Sequence, residues 1–93
     1  MYYRITTFSY DPEREGEVID WLDSARAEMQ SLPGLQYGRT VRVATGTSMM
    51  IGAYDKQESA DEAKNRVNGL RNELETVLND PIEVQEGPVI WEI

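Results

Sequence analysis

The side chains of this chain that could do chemistry are few and scattered. Trp21 falls beside the apolar stripe of a helix-like segment, next to Val18 and Ala25. It could stack on a flat ligand, or it could cover a sheet as aromatic rings at helical spacing commonly do. Tyr37 and Tyr54 fall near facing ends of a strand hairpin. They could aim hydroxyls at a substrate oxygen, or they could form a cross-strand aromatic pair. Arg4, Arg39 and Arg42 all fall in strand-like runs. Arg39 and Arg42 are three apart and must point to opposite faces, because side chains alternate along a strand. One of them therefore meets a covered face and needs an anionic partner there, either a ligand or a carboxylate of the protein. Met49 and Met50 straddle the two faces, and methionine serves both as a pliable pocket lining and as a gap filler. Trp21, Tyr37, Arg39, Met50 and Tyr54 are thus the candidates for a ligand pocket, and no constellation names a catalytic residue.

Absent residue types exclude more chemistry than the present ones suggest. The chain has 93 residues with no Cys and no His. Disulfides, thiolate metal sites, His-ligated haem and Ser-His or Cys-His catalysis are therefore excluded. The acidic residues show no calcium-loop spacing, so no metal site is expected. No glycine loop of phosphate-cradling type occurs. Seventeen acidic residues against nine basic ones give a formal charge of −8. That balance disfavours nucleic acid and anionic membranes as partners. The opening Tyr2-Tyr3-Arg4-Ile5 lacks the basic-then-apolar pattern of a signal peptide, and no run is long enough to span a bilayer. A cytoplasmic protein is the default expectation.

The elements that would position these residues come in a plan stated twice. Residues 2–8 are rich in aromatic and β-branched types and predict a strand. Asp11-Pro12 predicts a helix start, and Val18, Leu22, Ala25, Met29 and Leu32 make one apolar stripe over residues 12–31. Leu32-Pro33-Gly34-Leu35 stops that helix and opens a strand over 35–44, a turn at Thr45-Gly46 and a strand over 47–54. Ser59-Ala60-Asp61-Glu62 matches a capping box for a second helix that reaches Asp80-Pro81, with an i,i+4 pair at Glu62 and Arg66. Gly69 in that helix suggests close packing against the sheet. Residues 82–93 predict a last strand, bent at Gly87-Pro88.

Two β-α-β halves sharing a central hairpin predict a ferredoxin-like β-α-β-β-α-β sandwich over residues 1–93. This is an α+β domain with a four-stranded antiparallel sheet and both helices on one face. The strands do not alternate cleanly between apolar and polar, so both sheet faces should be covered. A second copy of the chain is the simplest cover for the face away from the helices.

Tyr3 to Phe8 leading to Asp11-Pro12, Leu32-Pro33-Gly34-Leu35, Gly52-Ala53-Tyr54-Asp55 followed by Ser59-Ala60, and Gly87-Pro88-Val89 together resemble the dimeric α/β-barrel superfamily. Within it, the chain is similar to the antibiotic biosynthesis monooxygenase-like proteins. The resemblance implies a homodimer whose sheets pack face to face, with a ligand pocket in each subunit between helices and sheet. It also implies oxidation of a small aromatic or quinol-type molecule by molecular oxygen without a cofactor. The catalysing members carry an Asn and a Trp on a pocket-lining helix, whereas the second helix here offers Asn65, Asn68 and Asn72 and no Trp. A non-catalytic homodimer that binds a hydrophobic metabolite or a protein partner is the competing reading. An RNA-recognition domain would need aromatic and basic residues that Thr47 to Tyr54 lacks, and Phe8-Ser9-Tyr10-Asp11 supplies no acylphosphatase phosphate loop.

Overall fold

The computed structural model describes all of residues 1–93. Strand β1 (Tyr2–Ser9) alternates strictly between buried and half-buried positions. Tyr2, Arg4, Thr6 and Phe8 point toward the helices, and Tyr3, Ile5, Thr7 and Ser9 point away. A single 3-10 turn at Pro12–Arg14 follows, and the Asp11 carboxylate accepts the Glu13 N–H at 3.0 Å to cap it. Helix α1 (Glu15–Gln30), strands β2 (Leu35–Ala44) and β3 (Thr47–Tyr54), helix α2 (Gln57–Glu75) and strand β4 (Glu83–Pro88) complete the order. The sheet runs β2-β3-β1-β4 with every neighbouring pair antiparallel. This is the expected ferredoxin-like arrangement.

The helices hold the sheet through two apolar groups. Phe8, Tyr10, Val18, Trp21, Ala25 and Leu74 form one. Tyr2, Leu32, Tyr54, Ala60, Ala63 and Val67 form the other. Met29 of α1 packs against both and marks the seam between them. Gly34, after the first helix, adopts a φ of 80°, and a Cβ there would run into Ser59 and Asp55. That explains the Pro-Gly stop.

Several local expectations change. Helix α2 begins at Gln57 with Lys56 as its cap residue and no side-chain cap. The Ser59 hydroxyl donates to the Asp55 carboxylate instead of closing a capping box. The helix ends at Glu75, well before Asp80. Arg66 does not pair with Glu62. It reaches across to the Glu28 carboxylate and the Ser31 hydroxyl of the first helix, each at 2.7 Å. Gly69 is exposed and nothing would meet a Cβ there, so close packing does not explain it. Strand β4 stops at Pro88. Beyond it Val89 donates to the Met1 carbonyl, while Ile90 and Trp91 are left exposed. Pro88 has no N–H to give a longer ladder.

Two register shifts in β2, between Leu35 and Tyr37 and between Arg42 and Ala44, reassign its faces. Leu35 sits opposite Tyr54 and faces the helices, so it does not share a face with Tyr37, Arg39 and Val41 as simple parity implies. Arg42 keeps the main register opposite Ser48 and lies on the helix side, on the other face from Arg39. Its Nε and Nη2 donate to the two Glu15 carboxylate oxygens at 2.7 and 2.6 Å, and the Tyr10 hydroxyl donates to the same carboxylate at 2.8 Å. These donors hold the Glu15 carboxyl down at about 2, against an ordinary 4.5. A carboxyl depressed on folding contributes its full stability above the ordinary value and loses it as the pH falls through the depressed one. The denaturation midpoint of the native protein should therefore fall between pH 4.5 and pH 2 more steeply than that of Glu15→Gln. Parallel slopes for the two proteins in urea titrations would contradict the assignment.

Candidate functional site

Register partners Gly38 on β2 and Gly52 on β3 lie side by side on the helix-facing side of the sheet. Neither sends a side chain up toward α1, and the space above them stays open. A chamber of about 50 Å³ results, lined by Arg4, Thr6, Leu35, Met50, Tyr54 and Val67 among others. That exceeds the roughly 10–15 Å³ a single buried water needs. A Cβ on Gly52 would sit 3.5 Å from the edge of the Tyr54 ring and 4.0 Å from Leu35, within the chamber's own walls.

The chamber opens outward. Met29, Leu35, Gly38 and Met50 also line a groove of about 660 Å³ between α1 and the β2 edge. Ile19 and Leu22 form the helix wall of that groove, and Tyr37, Arg39 and Thr40 border it along β2. Asp23 and Arg26 stand at its rim and pair with each other at 2.9 Å. The groove is mixed: Ile19, Leu22, Met29, Leu35 and Met50 give it apolar walls, and Gln30, Gln36, Arg39 and Thr40 share its lining with the Asp23–Arg26 pair.

Polar groups gather at the inner end. Thr6, Tyr54 and Arg4 are 2%, 4% and 7% exposed. Burying an arginine requires partners. Its Nε donates to Glu86 Oε2 at 3.2 Å and one Nη2 hydrogen to the Ala60 carbonyl at 3.2 Å. The Tyr2 hydroxyl donates to the other Glu86 oxygen at 2.9 Å. Glu86 titrates below the usual carboxylate range: burial alone would raise it, but the Tyr2 hydroxyl and the Arg4 charge outweigh burial. Arg4 Nη1 and the hydroxyls of Thr6 and Tyr54 make no hydrogen bond within the chain. No side-chain polar atom is sealed away without a partner, so these three remain accessible. Burial pushes the Tyr54 hydroxyl up, with the Arg4 charge opposing it. Tyr54 thus stays protonated and can donate.

The five pocket candidates separate in the structure. Met50 and Tyr54 line the chamber, and Met50, Tyr37 and Arg39 line the groove. Trp21 lies outside both. Its indole N–H donates to the Leu70 carbonyl at 3.0 Å, tying the first helix to the second. Tyr37 and Tyr54 do not form a cross-strand pair, because Tyr54 faces Leu35 and Tyr37 faces Ala53. Tyr37 instead meets Tyr3 edge to face on the far side of the sheet, hydroxyl to hydroxyl, with ring centroids 6.0 Å apart. The Arg39 guanidinium lies 4.5 Å from the centre of the Tyr37 ring. Thr6 is a chamber-lining residue that sequence reasoning did not name, and Arg4, noted there as a strand arginine, was not among the pocket candidates. Their parity with Tyr2 and Phe8 was the available signal.

The far side of the sheet has rows Tyr3–Ala53–Tyr37, Ile5–Ile51–Arg39 and Thr7–Met49–Val41. No element of the chain covers them.

Solved structures share this whole architecture. Rv0793 from Mycobacterium tuberculosis superposes with a TM-score of 0.82 at 17% identity, over 98% of this chain and 96% of its own. A monooxygenase from the ActVA-Orf6 gene of Streptomyces coelicolor, solved with nanaomycin D, gives 0.82 at 16% identity, covering 99% and 89%. A Nitrosomonas europaea protein provisionally named an antibiotic biosynthesis monooxygenase gives 0.82 at 13% identity, covering 98% and 100%. The chain has the fold of the antibiotic biosynthesis monooxygenase-like proteins. No family model and no curated protein sequence matches it. At these identities the likeness fixes the fold, and the chemistry has to come from this chain's own residues.

If the glycine pair is what opens the chamber, a methyl group at Gly52 fits without displacing backbone. Gly52→Ala should raise the unfolding free energy by about 0.4–1 kcal/mol, through lost freedom of the unfolded chain. A loss of more than about 1 kcal/mol in urea denaturation would show that the space is already filled.

Proposed function

We propose that the protein is a homodimer that binds a small, flat aromatic molecule in each subunit and oxidises it with molecular oxygen. The observation that carries this reading is a groove between α1 and β2 that leads into a small, mostly apolar chamber with Arg4, Thr6 and Tyr54 in its lining. The aromatic body lies in the groove against Leu22, Met29, Leu35 and Met50, and a ring oxygen enters the chamber. Donors placed where negative charge develops favour the anionic form of a phenol or an enolised ketone. Such an anion is electron-rich and can itself reduce oxygen. In an anthrone-type substrate the CH₂ carbon becomes a carbonyl. One atom of O₂ enters that carbonyl, and the other leaves as water with both hydrogens. The substrate supplies all four electrons, which suits a chain lacking His and Cys.

The monooxygenase with nanaomycin D lends this reading its substrate class by analogy of fold. The uncovered sheet rows support the dimer. Val41 on that face is 45% exposed beside Met49, and half-buried Ile51, Ile5 and Tyr3 continue the face across the sheet. A second copy laid sheet to sheet would remove this apolar surface from water. One observation favours a second reading, binding without turnover: the unpartnered polar groups in the chamber are donors, with no free carboxylate among them to take a proton. In the oxidative reading that proton leaves to water in the open groove. A cytoplasmic setting accords with the absence of cysteine.

Light scattering should return twice the chain mass of 10.6 kDa, and Ile51→Lys should return the monomer. A native protein that stays monomeric at micromolar concentration would overturn the dimer. Anthrone and dithranol in metal-free buffer should give saturable oxygen uptake, lost in Gly52→Val. Binding of these compounds without uptake would replace the oxidative reading by the binding one.

A further inference from the structure

Arg4 spends only part of its donor set inside the chain. The guanidinium has five N–H groups, of which one on Nε and one on Nη2 are committed to Glu86 and Ala60. The remaining donors belong to a side chain more than nine-tenths buried, in a chamber that is not filled. Thr6 and Tyr54, equally buried, bring two more unpartnered hydroxyls to the same lining. None of these groups is sealed from solvent, so each can exchange water for an acceptor on a ligand. The cation among them favours a charged acceptor.

We infer that Arg4, Thr6 and Tyr54 form an oxyanion subsite that selects ligands carrying an acidic oxygen, a carboxylate or an acidic phenol, on a flat apolar body. The Arg4 terminal nitrogen, held in place by Glu86 and the Ala60 carbonyl, supplies the charge. Glu86 orients the guanidinium and does not exhaust it, because its oxygens meet Arg4 only at Nε and otherwise accept from Tyr2. The cationic side chains of Lys64 and Arg71 also act on this corner of the protein, the first on Glu86 and the second on Arg4. Gly38 and Gly52 set the size of the subsite, so that only the oxygen-bearing end of a ligand fits it and the ring remains in the groove.

The inference rests on the groove being a ligand site, and its test is independent of turnover. The probes are 2-naphthoate and its neutral counterpart 2-naphthamide, titrated by calorimetry at neutral pH. The native protein should bind the carboxylate at least about tenfold more tightly, the worth of one charge-assisted hydrogen bond. Thr6→Val keeps the side-chain shape and the Arg4–Glu86 pair, and should weaken 2-naphthoate by about fivefold. Arg4→Met should abolish the preference; because it leaves Glu86 without its partner, Thr6→Val serves as the variant that does not depend on its folding. Equal affinity for both probes, unchanged by Thr6→Val, would overturn the acidic-oxygen subsite while leaving the groove as a ligand site. Failure of both probes to bind would overturn the groove and the subsite together.

Discussion

An arginine on the covered face of the central part of the sheet is the constraint to which the neighbouring structure answers. Arg4 stands between Tyr2 and Thr6 on β1, and strand alternation leaves it no route to solvent on the other face. Its charge has to be met where it lies. Glu86 on the edge strand β4 and the Ala60 carbonyl at the start of the second helix do so. Removing Glu86 would take away the only carboxylate paired with Arg4. The pairing is partial, however. A core selected only for stability would replace this cluster with apolar side chains of the same volume.

The chamber follows from where the two apolar groups of the interior fail to merge. Leu32, Tyr54 and Val67 belong to one of them, and Met50 packs against the other, with Met29 bridging both. Beneath this seam the sheet offers two glycines in register. Each residue is ordinary, but their coincidence leaves the helices spanning a gap. Methionines at 29 and 50 line that gap, and their unbranched, flexible side chains can adjust to a ligand body. The opposite sheet face obeys a simpler demand. Tyr3, Ile5, Met49 and Ile51 cannot be reached by any helix of this chain, and a symmetric partner would meet them in kind.

The architecture was legible because it depends on long-range pattern. The apolar spacing of Val18, Ala25 and Leu32, the Pro33-Gly34 stop and the alternation of β1 each survive small local errors. The site was less legible because it depends on register. A bulge at Gln36 moved Leu35 to the helix side opposite Tyr54, while the main register sets Tyr37 opposite Ala53, so Tyr37 and Tyr54 do not pair. Nothing in residue type announces that shift. Trp21 was a candidate on chemistry alone, and the Leu70 carbonyl claimed it as a tie between helices. Arg4 shared a parity with Phe8 from the start, yet parity does not show that its counterion lies 82 residues away on β4. Glycine is equally mute: Gly38 and Gly52 become meaningful only when the strands align them.

A crystal structure of the protein with 2-naphthoate bound tests the central claim most directly. The account predicts the carboxylate inside the chamber, within hydrogen-bonding distance of Arg4 Nη1, Thr6 Oγ1 and the Tyr54 hydroxyl, and the rings in the groove between Met29 and Met50. A naphthoate found on the exposed sheet face, or a chamber closed over by Met50 with Arg4 withdrawn, would contradict it.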